Sequence, residues 1–380
     1  MNIGLLGCGV VGGGVLALTQ DRSDIRVTRV LVRRPKEGLP EGAATCDVQD
    51  ILNDAAIDTV VEVMGGLHPA YEYVTAAMER GKHVVTANKA LIAAYYRELT
   101  ALAREKGVAL RYTAAVGGGI PWLVNLARCK RLDTVCAVGG IMNGTTNFIM
   151  DAMHKSPVDF PVILKEAQEL GYAEADPSAD IDGDDIRRKL CISANIAFDT
   201  VLDEETIPTF GIRTVTAADI AAFQAHGFVC KLLAAAERTD RGVCAYVEPT
   251  LVDCGKPEAA VPANYNLIGY VGEQVGRQSF FGQGAGRFPT ASNVVQDCLT
   301  ILAGDRAAYT DRVAPIALDL TAEAHPYYVR TGRPDAFLRS VAADTWGAGV
   351  VTGAVNTGEM LAWAKRQLSA DPACFIAGIR

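Results

Sequence analysis

The feature that most constrains the fold is a glycine-rich turn near the N-terminus. The segment GLLGCGVVGGG contains the pattern G-x-G-x-x-G at Gly7, Gly9 and Gly12, directly after a predicted strand (NIGLLG) and directly before a predicted helix. Glycine suits these positions because the turn is tight, the backbone approaches a pyrophosphate closely, and the helix packs tightly on the strand. The pyrophosphate then lies at the positive N-terminus of the helix. The sequence therefore predicts a dinucleotide site formed by Gly7, Gly9, Val10, Val11 and Gly12, with a purely structural turn as the alternative.

The end of the second predicted strand bears on the choice between NAD and NADP. An aspartate or glutamate about 20 residues beyond the glycines would accept a hydrogen bond from the ribose 2′-hydroxyl of NAD. In this chain Arg33 and Arg34 occupy that place, in the segment LVRRPK. Guanidinium groups suit a 2′-phosphate, so we expect NADP to be favoured over NAD. The alternative is a pair of solvated surface arginines.

Predicted strands and helices alternate over the first third of the chain, which is typical of a parallel sheet covered by helices. From about Val135 the segments lengthen, and later ones such as VCAYVEPTLV and RQSFFGQG read as antiparallel strands. We therefore predict an α/β protein with a Rossmann-type doubly wound parallel sheet in residues 1–134 and an α+β catalytic and dimerisation domain in residues 135–310. A helix at about 290–304 is a candidate to return to the first domain. Residues 311–380 are predicted to form a linker and a small C-terminal domain.

Composition limits the classes of partner. The net charge of −8 and the lack of a lysine- and arginine-rich run argue against nucleic acid. The apolar N-terminus lacks a charged start and is interrupted by glycines, and no other segment approaches the length of a membrane span. We therefore expect a cytoplasmic protein with no membrane partner. The ten cysteines and five histidines are scattered without a C-x-x-C pair, which disfavours a transition-metal site and indicates reduced thiols.

An acidic stretch, GYAEADPSADIDGDDIRRK, occupies residues 171–189. It matches a calcium loop in part, since Asp180, Asp182 and Gly183 fall at the third, fifth and sixth positions of an EF-hand. The match fails at both ends, where Ser178 replaces the first ligand and Lys189 replaces the bidentate glutamate. Calcium binding is therefore not predicted.

The helix predicted after this stretch carries a lysine on an apolar side. Four residues share one helical face: Asp185, Lys189, Ile192 and Ile196. Burying an unpaired ammonium costs several kcal/mol in order of magnitude, and Asp185 provides a partner one turn earlier. A desolvated lysine is one of the few groups that can exchange a proton near neutral pH. We therefore predict that Lys189 is an acid-base residue and that the preceding carboxylates hold a substrate ammonium, with an ion pair that only sets helix register as the alternative.

Residues 167–189, AQELGYAEADPSADIDGDDIRRK, resemble the signature of the homoserine dehydrogenase family. Five further segments are similar to that family: GLLGCGVVG, VVTANKALIA, YTAAVGGGIP, GIMNGTTNFI and GQGAGRFPTASNVVQD. The resemblance spans roughly residues 1–304. It implies an NAD(P)-dependent interconversion of L-homoserine and L-aspartate 4-semialdehyde, a step towards threonine, methionine and isoleucine. It also implies a homodimer formed through the sheet of the second domain.

The resemblance implies roles for individual residues. Lys189 is similar to the family's proton-transferring lysine, with Asp185 lining the same pocket, and Lys89 is similar to a second lysine beside cofactor and substrate. Glu174 and Asp180 correspond to binders of the substrate amino group. The other substrate contacts are expected to be Gly144, Thr145 and Tyr172, and the other cofactor contacts Gly65, Asn88, Lys89 and Gly284.

Two departures from the family matter. The family holds a monovalent cation, Na⁺ or K⁺, with a glutamate and with backbone carbonyls that would be those of Val116, Gly118 and Ile120. Thr113 stands where the glutamate is expected, so the sequence is compatible with either a retained or a lost cation site. The tail from about residue 325 to 380 loosely resembles a shortened ACT domain, with PYYVRT and FIAGI as its first and last strands. Threonine feedback is therefore open as well.

Two other functions fit part of the sequence. A phosphorylating aldehyde dehydrogenase on a related scaffold would need a thiolate nucleophile, and no cysteine lies in a sequence setting that is typical of one. A non-catalytic nucleotide sensor would keep the glycine turn and lose the proton-transfer residues, whereas both lysines and the carboxylates are present. We therefore expect an oxidoreductase.

Overall fold

The computed structural model of the chain describes residues 1–34, 38–39, 41–310 and 313–380. The chain divides into two units: the first is Met1–Leu132, Asp199–Val201 and Gly282–Ala314, and the second is Asp133–Phe198, Leu202–Phe281 and Pro315–Arg380. The division at residues 134 and 310 that the sequence predicts stays a prediction. Residues 311 and 312, at the start of the predicted linker, lie outside the described residues.

In the described residues of the first unit, six strands form a parallel sheet. They are β1 (Asn2–Leu6), β2 (Arg26–Leu31), β3 (Ala44–Thr45), β4 (Thr59–Glu62), β5 (His83–Thr86) and β6 (Leu110–Arg111). Their order, β3-β2-β1-β4-β5-β6, is that of Rossmann dinucleotide-binding folds, so the predicted doubly wound sheet is confirmed. The order reverses between β1 and β4, and such folds bind their ligands at the carboxyl ends of the strands at this point.

One strand of this sheet is shorter than the sequence predicts. The segment VALRYTAAV contributes only Leu110–Arg111 to the sheet, and Thr113–Ala115 form a short 3-10 helix. The strand ends here because the Thr113 N–H donates to the Asp297 carboxylate at 2.9 Å and not to a neighbouring strand.

The helices of this part of the chain are α1 (Val10–Thr19), α2 (Gln49–Leu52), α3 (Ala70–Glu79), α4 (Lys89–Ala94), α5 (Tyr96–Lys106) and α6 (Trp122–Cys129). The sequence predicts one helix where α4 and α5 lie. They are separate because Tyr95 leaves the helical conformation, with φ −120° and ψ 26°. Apolar side chains from strands and helices form the core of the unit, among them Ile3, Leu5, Val15, Val30, Val61, Val85 and Val294.

The second unit begins with β7 (Val135–Ile141) and the helices α7 (Gly144–Lys155), α8 (Phe160–Glu169), α9 (Ser178–Ile181), α10 (Asp184–Phe198) and α11 (Ala217–Ala225). Four strands follow: β8 (Phe228–Arg238), β9 (Val243–Asp253), β10 (Tyr265–Gly272) and β11 (Gly276–Gln283). The pairs β10–β7, β7–β8 and β8–β9 are antiparallel, which confirms the predicted change from parallel strands. Helix α10 is buried along its length except at Asp184, Arg187 and Arg188.

Helix α12 (Arg287–Leu302) belongs to the first unit, where it packs against α1. The two helices approach closely at Gly14. A Cβ at this position would lie 2.7 Å from the Arg287 carbonyl oxygen and 2.8 Å from the Ala291 methyl group. Glycine is therefore required by the packing of α1 on α12.

The C-terminal elements are β12 (Ala324–His325), β13 (Tyr327–Arg330), α13 (Ala336–Val341), β14 (Ala342–Trp346), β15 (Gly349–Thr352), β16 (Val355–Asn356), α14 (Thr357–Ala370) and β17 (Phe375–Ile379). Six of them, β13, α13, β14, β15, α14 and β17, follow the β-α-β-β-α-β order of ferredoxin-like folds. Strand β17 pairs with β9 and thereby joins nine of the described strands of the second unit in one sheet, with the order β11-β10-β7-β8-β9-β17-β13-β15-β14. Strands β12 and β16 form a separate two-stranded antiparallel sheet. None of the described helices is both long and apolar enough to cross a membrane.

Candidate active site

The glycine turn between β1 and α1 has one position that the protein's own packing does not explain. Gly7 has a φ of +98°, and a Cβ at Gly12 would lie 2.3 Å from the Gly7 carbonyl oxygen, so both are required by the turn. At Gly9 a Cβ would have no atom within 4 Å. Gly9 and the next residue, Val10, are exposed, and Val11 is partly buried. The open space beside Gly9 fits the close approach of a pyrophosphate to the backbone.

The glycine turn is tied to the end of β2, where the two candidate arginines follow. The Gly7 N–H donates to the Leu31 carbonyl oxygen at 3.1 Å. Arg33 and Arg34 follow Leu31 after one intervening residue, Val32, and both arginines are exposed. Two cationic side chains are therefore available near the glycine turn for a negatively charged group.

A buried carboxylate that sequence reasoning missed organises the loop after β4. Glu62 is fully buried, and its Oε1 accepts from the Met64 N–H at 2.7 Å and from the Gly65 N–H at 3.2 Å. Its Oε2 accepts from the Thr86 hydroxyl at 2.5 Å. Burial raises the pKa of Glu62 and outweighs the hydrogen bonds that lower it. An acidic residue inside the apolar run TVVEVMGG was the signal that could have identified it.

Lys89 is held at the carboxyl end of β5 by the residue before it. The Asn88 side-chain oxygen accepts from the Leu91 N–H at 3.1 Å and caps α4, the helix that begins at Lys89. The Asn88 amide nitrogen donates to the Gly66 carbonyl oxygen at 2.7 Å. Asn88 therefore joins the loop after β4 to the helix that carries Lys89, and Lys89 is half-buried there.

In the second unit, Lys189 and Asp185 form a buried ion pair. Lys189 Nζ lies 2.7 Å from Asp185 Oδ2, and the two residues are 7% and 5% exposed. Nζ also donates to the Met142 carbonyl oxygen at 2.7 Å. The pairing predicted from the spacing on α10 is confirmed, as is the burial of Ile192 and Ile196 on the same face.

Asn143, which sequence reasoning missed, joins the acidic stretch to this ion pair. Its Nδ2 donates to Asp180 Oδ1 at 2.7 Å and to Asp185 Oδ2 at 2.8 Å. Its Oδ1 accepts from the Thr146 N–H at 2.8 Å and caps α7. Asp180, Asp185 and Lys189 are thus linked through Asn143. The signal was an asparagine directly before a helix in GIMNGTTNFI.

The other carboxylates of the acidic stretch have separate roles. Asp182 pairs with Arg213 at 2.6 Å, and Asp184 pairs with Arg187 at 3.5 Å. These pairs stabilise local structure. Glu174 is exposed, and within the described residues it is not part of the hydrogen-bonded cluster around Asn143.

The first turn of α7 contacts the start of the acidic stretch. The Thr145 hydroxyl donates to the Tyr172 carbonyl oxygen at 2.6 Å, and the Tyr172 ring packs edge-on against Phe148 with 5.1 Å between ring centroids. A Cβ at Gly144 would lie 2.6 Å from the Asn264 carbonyl oxygen, so glycine is required there. Gly144, Thr145 and Tyr172 therefore lie close together, as they must if all three are to contact one substrate.

The loop of residues 116–120 in the first unit does not fit a monovalent cation. Asn293 Nδ2 donates to the carbonyl oxygens of Gly118 and Ile120 at 2.5 Å and 3.0 Å. The Thr113 hydroxyl donates to Asp297 at 2.6 Å. Hence two of the expected ligands face an amide. Among the described residues, no group of three or more His, Cys, Asp or Glu side chains could hold a metal ion.

Two further sequence-predicted residues are part of this region. Val116 is fully buried in the same loop. Gly284 lies against Gly118: a Cβ at Gly118, which has a φ of +55°, would lie 2.5 Å from the Gly284 carbonyl oxygen. The structure thus brings Gly284 to the loop of residues 116–120.

Five buried cysteines are unsuited to act as a thiolate nucleophile. Burial raises the pKa of Cys191, Cys244 and Cys374 to about 12. Burial also raises the pKa of Cys230 and Cys298. These five thiols are protonated at neutral pH, which disfavours a phosphorylating aldehyde dehydrogenase that uses any of them.

Both units of the chain are similar to known proteins. Residues 7–113 match the family model described as "Homoserine dehydrogenase, NAD binding domain", and residues 121–299 match the model described as "Homoserine dehydrogenase". The chain is 38% identical over 323 residues to a homoserine dehydrogenase of Bacillus subtilis, an alignment that covers 82% of this chain and 75% of that protein. It is 42% identical over 317 residues to one of a Synechocystis species, with 80% and 73% covered. The crystal structure of a homoserine dehydrogenase from Thiobacillus denitrificans superposes with a TM-score of 0.89 at 33% identity, covering 100% of this chain and 98% of that one.

Proposed function

This chain belongs to the homoserine dehydrogenase family, and from that premise we propose that Lys189 exchanges the proton of the substrate hydroxyl. The reaction is the NAD(P)-dependent interconversion of L-homoserine and L-aspartate 4-semialdehyde. Oxidation removes a hydride from the carbon that bears the hydroxyl and a proton from its oxygen. When bound, the nicotinamide cofactor accepts the hydride. The protein supplies the proton acceptor and the orientation of the substrate.

The observation that carries this proposal is the buried contact of Lys189 Nζ with Asp185 and with the Met142 carbonyl oxygen, each at 2.7 Å. Two fixed acceptors hold the amine in one orientation within a helix that is otherwise almost wholly buried. In the direction of aldehyde reduction the ammonium form donates the proton, and the neighbouring carboxylate stabilises that form. In the direction of alcohol oxidation the neutral amine accepts it.

We assign the substrate's ammonium group to Asp180 and Glu174. Support comes from the Asn143 amide, which orients Asp180 at 2.7 Å, and from the exposure of Glu174. A carboxylate that is held by a neutral amide keeps its negative charge available for a cation. Gly144, Thr145 and Tyr172 are proposed as further substrate contacts.

The first unit is proposed to bind NADP in preference to NAD. The turn from Gly7 to Gly12 would hold the pyrophosphate at the N-terminus of α1, and Arg33 and Arg34 would pair with the 2′-phosphate. The exposure of both arginines at the end of β2 supports this assignment. Further cofactor contacts are proposed for Gly65, Asn88, Lys89 and Gly284.

We further propose that the chain forms a homodimer through the sheet of the second unit. That sheet carries a cavity of about 530 Å³, lined in part by the small residues Gly139, Gly140 and Ala235 on β7 and β8. The Phe281 side chain on β11 is 56% exposed. Analytical ultracentrifugation tests the proposal, and a monomer at micromolar concentration would contradict it.

The C-terminal elements are proposed to form a short ACT-like domain. Their β-α-β-β-α-β order supports this proposal. Threonine feedback is tested by adding L-threonine to the assay. A rate that threonine does not change would remove the regulatory role.

The activity test follows the absorbance of reduced nicotinamide with L-homoserine, once with NADP and once with NAD. Lys189→Ala is expected to lower the rate by about 10²–10⁴-fold, the range of general acid-base catalysis, with NADP affinity nearly unchanged. Arg187→Ala, on the same helix, is the matched control because Arg187 pairs with Glu205 outside the Asn143 cluster. A Lys189 variant that kept most of its turnover would move the acid-base role to Lys89.

A further inference from the structure

We propose that the side-chain amide of Asn293 takes the place of a monovalent cation in this chain. The chain would therefore work without bound Na⁺ or K⁺. The resemblance described above implies such a cation at the carbonyls of the 116–120 loop, together with a glutamate that this sequence lacks. The structure offers a different partner for these carbonyls, which comes from α12.

The amide nitrogen of Asn293 lies between two of the expected cation ligands. Nδ2 is 2.5 Å from the Gly118 carbonyl oxygen and 3.0 Å from the Ile120 carbonyl oxygen. Both partners are acceptors only, so the atom that meets them must be the nitrogen of the amide. A side-chain amide carries two N–H donors, and here one is available for each carbonyl. Asn293 is 5% exposed, so these bonds are shielded from water.

The Ile120 carbonyl oxygen already has two donors. Besides Asn293 Nδ2, it accepts from the Trp122 N–H at 2.8 Å. A carbonyl oxygen has two lone pairs, and a cation held by carbonyls needs those lone pairs in place of its hydration shell. Ile120 therefore has no lone pair left for a cation while Asn293 is in this position.

The charges around the loop of residues 116–120 also fit an amide in place of a cation. An amide is neutral, so it needs no carboxylate beside it, whereas a cation in a buried site does. Thr113 stands where the glutamate is expected, and its hydroxyl donates to Asp297 at 2.6 Å. A neutral side chain at residue 113 and a neutral amide at residue 293 therefore fit together without a cation.

The carboxylate of Asp297 also lies in the first unit, and both of its oxygens accept hydrogen bonds from Thr113. Asp297 follows Asn293 by one helical turn on α12 and is 2% exposed. Its Oδ2 accepts from the Thr113 N–H at 2.9 Å, and its Oδ1 accepts from the Thr113 hydroxyl at 2.6 Å. Asp297 therefore holds the 3-10 helix at Thr113 through both of its carboxylate oxygens.

The first test uses the unmodified protein in sodium, potassium or tetramethylammonium chloride at equal ionic strength. We expect the same Tm and the same rate of NADP reduction by homoserine in all three salts. The protein should also cause no broadening of the ²³Na resonance of the kind that added potassium removes by competition. A Tm or rate that rises specifically with sodium or potassium would overturn the proposal. The Tm and the ²³Na signal are read without turnover, so they separate this proposal from the role of Lys189.

The second test restores an oxygen ligand with Asn293→Asp, which keeps the shape of the side chain and replaces the donor. The Tm of this variant is expected to be higher in sodium or potassium chloride than in tetramethylammonium chloride. The shift should be roughly 5 °C or more when the cation is at about a hundred times its dissociation constant. The matched control is Asn125→Asp, since Asn125 donates to a single carbonyl, that of Pro121, at 2.6 Å. The control should show no difference between the salts.

If Asn293→Asp does not fold, Asn293→Ala combined with Thr113→Glu replaces it. This pair removes the amide and returns the carboxylate to residue 113. The double variant should also be more stable in sodium or potassium than in tetramethylammonium. If the variant that folds has the same Tm in all three salts, the carbonyls are not a cation site and the proposal is wrong.

Discussion

The titration of Asp297 gives a quantitative test of how the first unit is packed. This carboxyl group is 2% exposed, and burial raises its pKa from 3.8 to about 6 in spite of its hydrogen bonds to Thr113. This change in the pKa of Asp297 corresponds to roughly 3 kcal/mol of folding free energy. Because the group is buried, solvent screening does not reduce this figure much.

The sign follows from proton binding. Between about pH 4 and pH 6 the folded state keeps a proton on Asp297 that the unfolded state has lost, so the free energy of unfolding falls as the pH rises through this window. The stabilisation is fully present below about pH 4 and is lost above about pH 6. Of the total, roughly 1.4 kcal/mol falls between pH 5 and pH 8.

Asp297→Asn removes the titration and keeps the shape of the side chain. We expect the free energy of unfolding of the variant, relative to the unmodified protein, to become more favourable by about 1.4 kcal/mol from pH 5 to pH 8. The assay is urea unfolding followed by tryptophan fluorescence, to which the fully buried Trp122 of the same unit contributes. Asp21→Asn, at an exposed aspartate of this unit, controls for the loss of one negative charge. A difference that is constant from pH 5 to pH 8, or that runs in the opposite direction, would show that burial does not raise the pKa of Asp297.

Three further predictions concern the proposed sites. Gly9→Ala should keep its Tm, because a Cβ at this position meets only open space. The same Cβ would enter the space proposed for the pyrophosphate, so the variant should bind NADP more weakly in a fluorescence titration. Gly12→Ala should lower the Tm, because its Cβ would lie 2.3 Å from the Gly7 carbonyl oxygen. Arg33→Ala combined with Arg34→Ala should raise the KM for NADP and leave that for NAD unchanged, and an equal rise for both cofactors would contradict the assignment. Asn143→Ala should lower stability by about 1–2 kcal/mol in urea unfolding through loss of the α7 cap, and should also raise the KM for homoserine. An unchanged KM would leave Asn143 with a structural role alone.

Local sequence patterns were sufficient for much of the fold and for the main ion pair. The glycine turn was predicted from its place between a strand and a helix, and the parallel sheet from the alternation of predicted strands and helices. Both predictions were possible because these features depend on residues that are close together in the chain. The pair of Asp185 and Lys189 followed from four-residue spacing on a helix whose burial the apolar residues predict.

Two of the residues that sequence reasoning missed, Asn143 and Asn293, make contacts with residues far away in the chain. Asn143 contacts Asp185 across 42 residues, and Asn293 contacts Gly118 across 175. The capping role of Asn143 can be read from its place before α7, but its second role depends on how α7 and α10 pack. Nothing in the spacing of the sequence pairs Asn293 with the 116–120 loop, because that contact exists only once α12 has packed in the first unit.

Chemical rescue by a small amine tests whether Lys189 exchanges the substrate proton. The measurement is the rate of NADP reduction by Lys189→Ala with saturating homoserine and increasing methylamine. We expect a rate that is about 10²–10⁴-fold below that of the unmodified protein and that rises with the concentration of the free amine, with NADP affinity unchanged throughout. A variant that keeps most of its activity, or one that is inactive and gains nothing from any small primary amine, would contradict the claim.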